Sequence, residues 1–220
     1  MKIIKDENKI YPGIICATAL VLLISIGLTG CVASPKNNLT ISASPSTAAD
    51  DLVYFADNTG RINAVQNDGK LAWRYSLADD LAGRQNSEVA EVRIERLFAR
   101  SGKKLYGLAR ITTGLSQGKI ILFALDAEKL VWFEEIPAPE PNGSPLIIGD
   151  DGLYLAGNDG KLYAFSKTTG KILWENQVSS GRLGAPTLGA DGIIYVTGLG
   201  HHLHAINADG TERWAIGTSQ

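Results

Sequence analysis

All three histidines of the chain fall in one run, Gly200-His201-His202-Leu203-His204. On a strand, side chains alternate between faces, so His202 and His204 share one and could chelate zinc, copper or nickel. His201 falls on the other face by the same alternation, and the chain has no histidine beyond this run and no cysteine near it to complete such a sphere. The pair is therefore a weak metal candidate, and the competing reading makes His204 a packed ring position. The acidic pairs Asp79-Asp80 and Asp150-Asp151 could bind calcium or act as a glycosidase dyad, but the ordinary role of such pairs is solvated turn chemistry. Gly181-Arg182-Leu183-Gly184 precedes no helix and so makes no phosphate cradle. The histidines cluster with one another rather than beside a serine. No catalytic residue and no cofactor is expected from these groups.

One thiol has a clearer chemistry. Lys2, Lys5 and Lys9 outnumber Asp6 and Glu7 in a short positive leader, and residues 14–28 then run without a charge. That run is shorter than the roughly 20 apolar residues a membrane span needs. It ends at Leu28-Thr29-Gly30-Cys31, which is similar to the bacterial lipobox: an aliphatic residue, a small one, Gly or Ala, then the cysteine that is lipidated. The reading is a lipoprotein signal peptide over residues 1–30 and a lipidated Cys31. Residues 31–43 form a flexible tether of Ser, Pro, Asn, Ala and Thr with little to bury. Cys16 leaves with the leader, so Cys31 alone remains and no intramolecular disulfide is available. The expected location is extracytoplasmic, anchored by lipid to a bacterial membrane, the outer one where two exist.

The elements that position these groups emerge from a repeat. The chain of 220 residues has 24 glycines, 45% hydrophobic residues and a formal charge of −2. That composition suits many tight turns between short strands and gives no basic excess to recruit nucleic acid. The four tryptophans, Trp73, Trp132, Trp174 and Trp214, each follow a tyrosine, Tyr54, Tyr106, Tyr154 and Tyr195, by 19, 26, 20 and 19 residues. Between each pair lies an apolar-x-Ala-apolar core: Ile62-Asn63-Ala64-Val65, Leu122-Phe123-Ala124-Leu125, Leu162-Tyr163-Ala164-Phe165 and Leu203-His204-Ala205-Ile206. A proline stands nine residues before three of the tyrosines, at Pro45, Pro145 and Pro186; the second unit has Leu97 there.

In the third unit the spacing predicts strands at 145–148, 153–156, 161–165 and 171–174, separated by turns at Asp150-Asp151-Gly152, Asn158-Asp159-Gly160 and Thr168-Thr169-Gly170. Each unit is thus a four-stranded antiparallel meander. Units of about 40 residues with four strands and a recurring aromatic read as β-propeller blades, which bury their faces only by stacking. The fold expected is all-β, a partial or small propeller of four blades at about 44–77, 92–136, 144–178 and 184–216, within a domain spanning 44–220. Residues 77–96 fit either a helical turn or a long edge strand and read as an insertion between the first two blades.

The segments Ser166-Lys167-Thr168-Thr169-Gly170-Lys171-Ile172-Leu173-Trp174 and Asn67-Asp68-Gly69-Lys70-Leu71-Ala72-Trp73 resemble the A-x-D-x-x-T-G-K-x-x-W motif of pyrroloquinoline-quinone (PQQ)-like propeller repeats. Leu125 to Trp132 and Asn207 to Trp214 are weaker copies. The resemblance implies that each Trp docks across a blade interface, and that rings of seven or eight blades are usual where this chain supplies four. Self-association is one way to meet that shortfall. With the lipobox, the resemblance further implies a non-catalytic lipoprotein that binds an envelope protein partner in envelope or outer-membrane protein assembly. Contacts are expected at Arg93, Arg96, Arg100 and Arg182, since arginine's planar fork favours interfaces. The alternatives are a surface sensory module for glycans or small molecules, or the remnant of a PQQ-dependent dehydrogenase. The latter, by the same resemblance, would need a complete ring, a vicinal disulfide, calcium and an aspartate base.

Overall fold

The computed structural model describes residues 46–85, 91–99, 104–113, 118–137 and 146–217. The leader at 1–30, Cys31 with the tether to residue 43, Pro45, Pro145 and Arg100 lie outside the described residues. What is described is four antiparallel sheets of four strands each, with strands adjacent in sequence also adjacent in space. The first sheet holds β1 (Ser46–Ala49), β2 (Leu52–Ala56), β3 (Arg61–Gln66) and β4 (Leu71–Ser76). The second holds β5 (Glu91–Ala99), β6 (Lys104–Thr112), β7 (Lys119–Asp126) and β8 (Lys129–Glu135). The third runs β9 (Ile147–Ile148), β10 (Leu153–Ala156), β11 (Lys161–Phe165) and β12 (Ile172–Gln177), and the fourth β13 (Thr187–Leu188), β14 (Ile194–Gly198), β15 (His202–Ile206) and β16 (Glu212–Gly217). The architecture is all-β, with the up-and-down meanders of propeller blades.

The ambiguous stretch after the first sheet resolves into both alternatives. A short helix, α1 (Leu77–Gln85), precedes β5, which is a nine-residue strand of the second sheet. Ser76 Oγ accepts the Asp79 backbone N–H at 3.2 Å as an N-cap, and Asp79 and Asp80 sit in the first turn with Arg84 in the last, matching the helix dipole. Leu77 and Leu81, four apart, are fully buried on one face of the helix.

The inner strands of the second and third sheets are largely apolar on both faces, as strands packed on both sides must be. Three cores result, one between each consecutive pair of sheets. Tyr54, Ile62 and Ala64 of the first sheet meet Leu105, Phe123 and Leu125 of the second. Tyr106, Leu122 and Trp132 of the second meet Leu153, Tyr163 and Phe165 of the third. Tyr154, Leu162 and Ala164 of the third meet Ile194, Val196 and Ile206 of the fourth. Every sheet therefore has two distinct faces: one carrying the Tyr-Ala-Trp row, the other carrying aliphatic and ring residues that receive the preceding sheet.

Candidate functional site

The repeat-defining aromatics form one structural device used four times. In each sheet the Tyr of the second strand, the Ala of the third and the Trp of the fourth are direct cross-strand neighbours: Tyr54–Ala64–Trp73, Tyr106–Ala124–Trp132, Tyr154–Ala164–Trp174 and Tyr195–Ala205–Trp214. The small Ala leaves room for the two rings to approach over it, with centroids 5.7, 6.1, 5.9 and 5.9 Å apart and tilted planes, the arrangement that ring quadrupoles favour. Immediately beyond the Ala–Trp pair the register slips by one residue in all four sheets. This bulge turns the Trp toward the next sheet and pushes the residue before it outward. Val131 and Leu173, the extra residues in two of these bulges, are accordingly exposed.

Two of the tryptophans complete a connection to the following sheet. Trp132 donates its indole Nε1–H to the Lys167 carbonyl at 3.2 Å, and Trp174 donates to the Ala208 carbonyl at 2.9 Å. Both acceptors lie in the turn between the third and fourth strands of the receiving sheet, and in that turn Gly170 and Gly210 sit at positive φ (74° and 89°) directly beneath the indoles. A Cβ on Gly170 would stand 2.4 Å from Trp132, and one on Gly210 would stand 2.7 Å from Trp174. Asn176 adds a parallel bond to the Gly210 carbonyl at 2.8 Å. The second sheet has Asp126-Ala127-Glu128-Lys129 at this turn, with no glycine, and Trp73 packs against that interface with no indole hydrogen bond of this kind. Sequence reasoning identifies the Tyr and Trp positions but misses the glycine four residues before Trp as the seat of the previous sheet's indole; its recurrence at 69, 170 and 210 was the available signal.

Of the arginines, Arg93 pairs across the strands with Arg110, and Arg96 with Leu108, one bulge apart. The register puts Arg93, Arg96 and Arg110 on one face of β5–β6. Glu95, the extra residue of that bulge, places a carboxylate oxygen 3.3 Å from Arg110 Nε and 3.9 Å from Arg93 Nε, while Arg93 itself stays largely exposed. Arg182 is elsewhere, in the β12–β13 connection next to buried Leu183. So the structure groups Arg93 and Arg96 and does not group them with Arg182 by any described contact.

His202 and His204 do share a face, with ring centroids 6.2 Å apart. His204 occupies the register position of Tyr163 and Phe123, nearly buried, with Nδ1 2.7 Å from a Glu212 carboxylate oxygen. Among the described residues no group of three or more metal-ligating side chains is gathered. Asp80 of the first acidic pair accepts hydrogen bonds from Arg84 Nε at 2.7 Å and from the Tyr75 hydroxyl. The Arg84 bond leads in holding the Asp80 carboxyl below its ordinary range, and burial leads in raising the Tyr75 phenol, with Asp80 adding to it. This is a staple between α1 and β4. Asp150 and Asp151 lie in the β9–β10 turn, as the sequence suggests.

One Gly-x-Ser-x-Gly run, the spacing of a serine nucleophile elbow, does occur, Gly114-Leu115-Ser116-Gln117-Gly118. Most of it lies outside the described residues, but it joins β6 to its antiparallel partner β7. A nucleophile elbow needs a strand-to-helix turn, which this connection is not.

Comparison with known proteins agrees with the repeat. The family model described as outer membrane protein assembly factor BamB matches residues 116–220. The curated BamB of Shewanella oneidensis is 25% identical over 149 residues, covering 62% of this chain and 34% of its own length. The chain thus spans about a third of that relative. A crystal structure of BamB from Moraxella catarrhalis aligns over 79% of this chain and 60% of its own at 18% identity and a TM-score of 0.39. The Tyr-Ala-Trp device recurs in every described sheet, and over residues 116–220 the chain is similar to the family of outer membrane protein assembly factor BamB.

Proposed function

We propose that this protein is a non-catalytic, lipid-anchored, extracytoplasmic scaffold that binds an envelope protein partner during outer-membrane protein assembly. The observation that carries the reading is the family match over residues 116–220, whose description is that of an assembly factor. The geometry supports it in two ways. Three of the four tryptophans, Trp73, Trp132 and Trp174, are spent with Tyr54, Tyr106 and Tyr154 on packing sheet against sheet. The exposed guanidinium of Arg93, with Arg96 on the same face, offers the bidentate donors that protein interfaces favour. Cys31 supplies the anchor through its lipobox.

Photo-crosslinking tests the partner. With a benzophenone amino acid in place of Arg93 or Arg182 in a Gram-negative cell, the expected adduct is with a component of outer-membrane protein assembly. Adducts confined to glycan or to cytoplasmic proteins would contradict the reading. Labelling with an alkyne-bearing palmitate tests the anchor: incorporation should vanish in Cys31→Ser.

A further inference from the structure

Among the described residues three sheet-to-sheet interfaces are covered, and the two outermost faces of the array are the two halves of a fourth. On the fourth sheet, Tyr195, Ala205 and Trp214 form the same row that docks in the other sheets. Yet Trp214 is 38% exposed where Trp132 is 9%, and Ile216, next along that face, is also exposed. On the first sheet, Val53 and Phe55 stand at the register positions of Leu153 and Leu155, which are completely buried in the third; here they are 39% and 38% exposed. The turn that should receive an indole is present too. Gln66-Asn67-Asp68-Gly69-Lys70 has the same backbone hydrogen bonds as Asn207-Ala208-Asp209-Gly210-Thr211, and Gly69 has the same positive φ, 84° against 89°. Where a Cβ on Gly210 would strike Trp174, one on Gly69 would meet nothing within 4 Å. The seat is formed and bare.

We propose that a second copy of this chain docks head to tail on these faces, with Trp214 of one copy lying over Gly69 of the other and its indole N–H donated to the Asn67 carbonyl. The occupant is a second copy because each chain carries both the unseated indole and the empty seat, and the contact continues the interface already made by Trp132 with Gly170 and Trp174 with Gly210. The Phe55 and Val53 side chains take the place that Leu155 and Leu153 hold against the second sheet. Such a contact is heterologous: two different faces meet, so it builds a closed ring or a linear series rather than a pair through one shared patch. It is independent of the partner proposed above, since it uses neither Arg93 nor Cys31.

The test is sedimentation velocity on the full chain in a density-matched non-ionic detergent, with Trp214→Glu and Phe55→Asp variants whose far-ultraviolet circular dichroism matches the wild type. Wild type at tens of micromolar should sediment as two or more copies, and each variant alone should weaken association by at least about tenfold, as loss of a central interface aromatic does. Mixing the two variants should restore a two-copy species, because one retains the intact indole face and the other the intact seat. A wild type that stays monomeric overturns the proposal. So does association that survives both variants, which would arise from the apolar leader or another face, and so does a mixture that remains monomeric. Loss of the Arg93 crosslink with association intact would instead count against the scaffold reading alone.

Discussion

Gly69 and Gly170 occupy the same turn position in different sheets, and the difference between them isolates what a seated indole is worth. Adding a methyl at either forces a left-handed backbone on a residue with a Cβ, which costs about 1–2 kcal/mol. At Gly170 the methyl also enters the Trp132 ring, adding overpacking of about 1–3 kcal/mol. Urea titration should therefore show Gly170→Ala clearly more destabilising than Gly69→Ala. The Asp80 staple makes a second prediction at this scale. Because the folded state holds the Asp80 carboxyl low, chiefly through Arg84, its contribution is complete at neutral pH and is lost as pH falls through the carboxylate range. The Tyr75 phenol, raised by burial and by Asp80, contributes below its ordinary value near 10 and is lost as pH rises beyond it. The melting temperature of wild type should fall more steeply at both limits than that of Asp80→Asn. The Tyr and Trp positions were legible in sequence because they recur at a fixed spacing. The glycine seat was not, because it relates one repeat to its neighbour and no single repeat displays that relation.

The strand bulge is the element that makes the device work, since it presents each Trp to the next sheet. Truncating a seated indole leaves a cavity between two sheets, so Trp132→Ala should cost about 3–5 kcal/mol, whereas Trp214→Ala, which loses its Tyr195 contact but opens no cavity between sheets, should cost clearly less. Equilibrium denaturation of the two variants checks this. The strands of the third sheet were legible almost residue by residue, because Asp-Gly and Thr-Gly turns punctuate short apolar runs. The stretch from Leu77 to Ala99 was not: Leu77 and Leu81 repeat at helical spacing, Val92 and Ile94 alternate as in a strand, and no proline marks the change. The bulge at Glu95 further breaks the alternation, which is why the extent of β5 could not be drawn from pattern.

At the scale of the molecule, the sequence pattern shows four equal units, and the structure adds that equal units need not be equally satisfied. Among the described residues, sheets two and three are covered on both faces, while the first and fourth each keep one face of interface type open. The central claim is that indole seating joins successive sheets and leaves Trp214 unseated in the single chain. Hydrogen exchange of the four indole N–H groups tests it most directly, using nitrogen-15 spectra of the full chain in detergent at low micromolar concentration, with peaks assigned by single Trp→Phe substitutions. Trp132 and Trp174 should exchange slowly, protected by the Lys167 and Ala208 carbonyls, and Trp214 should exchange at once, gaining protection only as concentration rises. Fast exchange at Trp132 and Trp174, or protection of Trp214 at every dilution, would contradict the account.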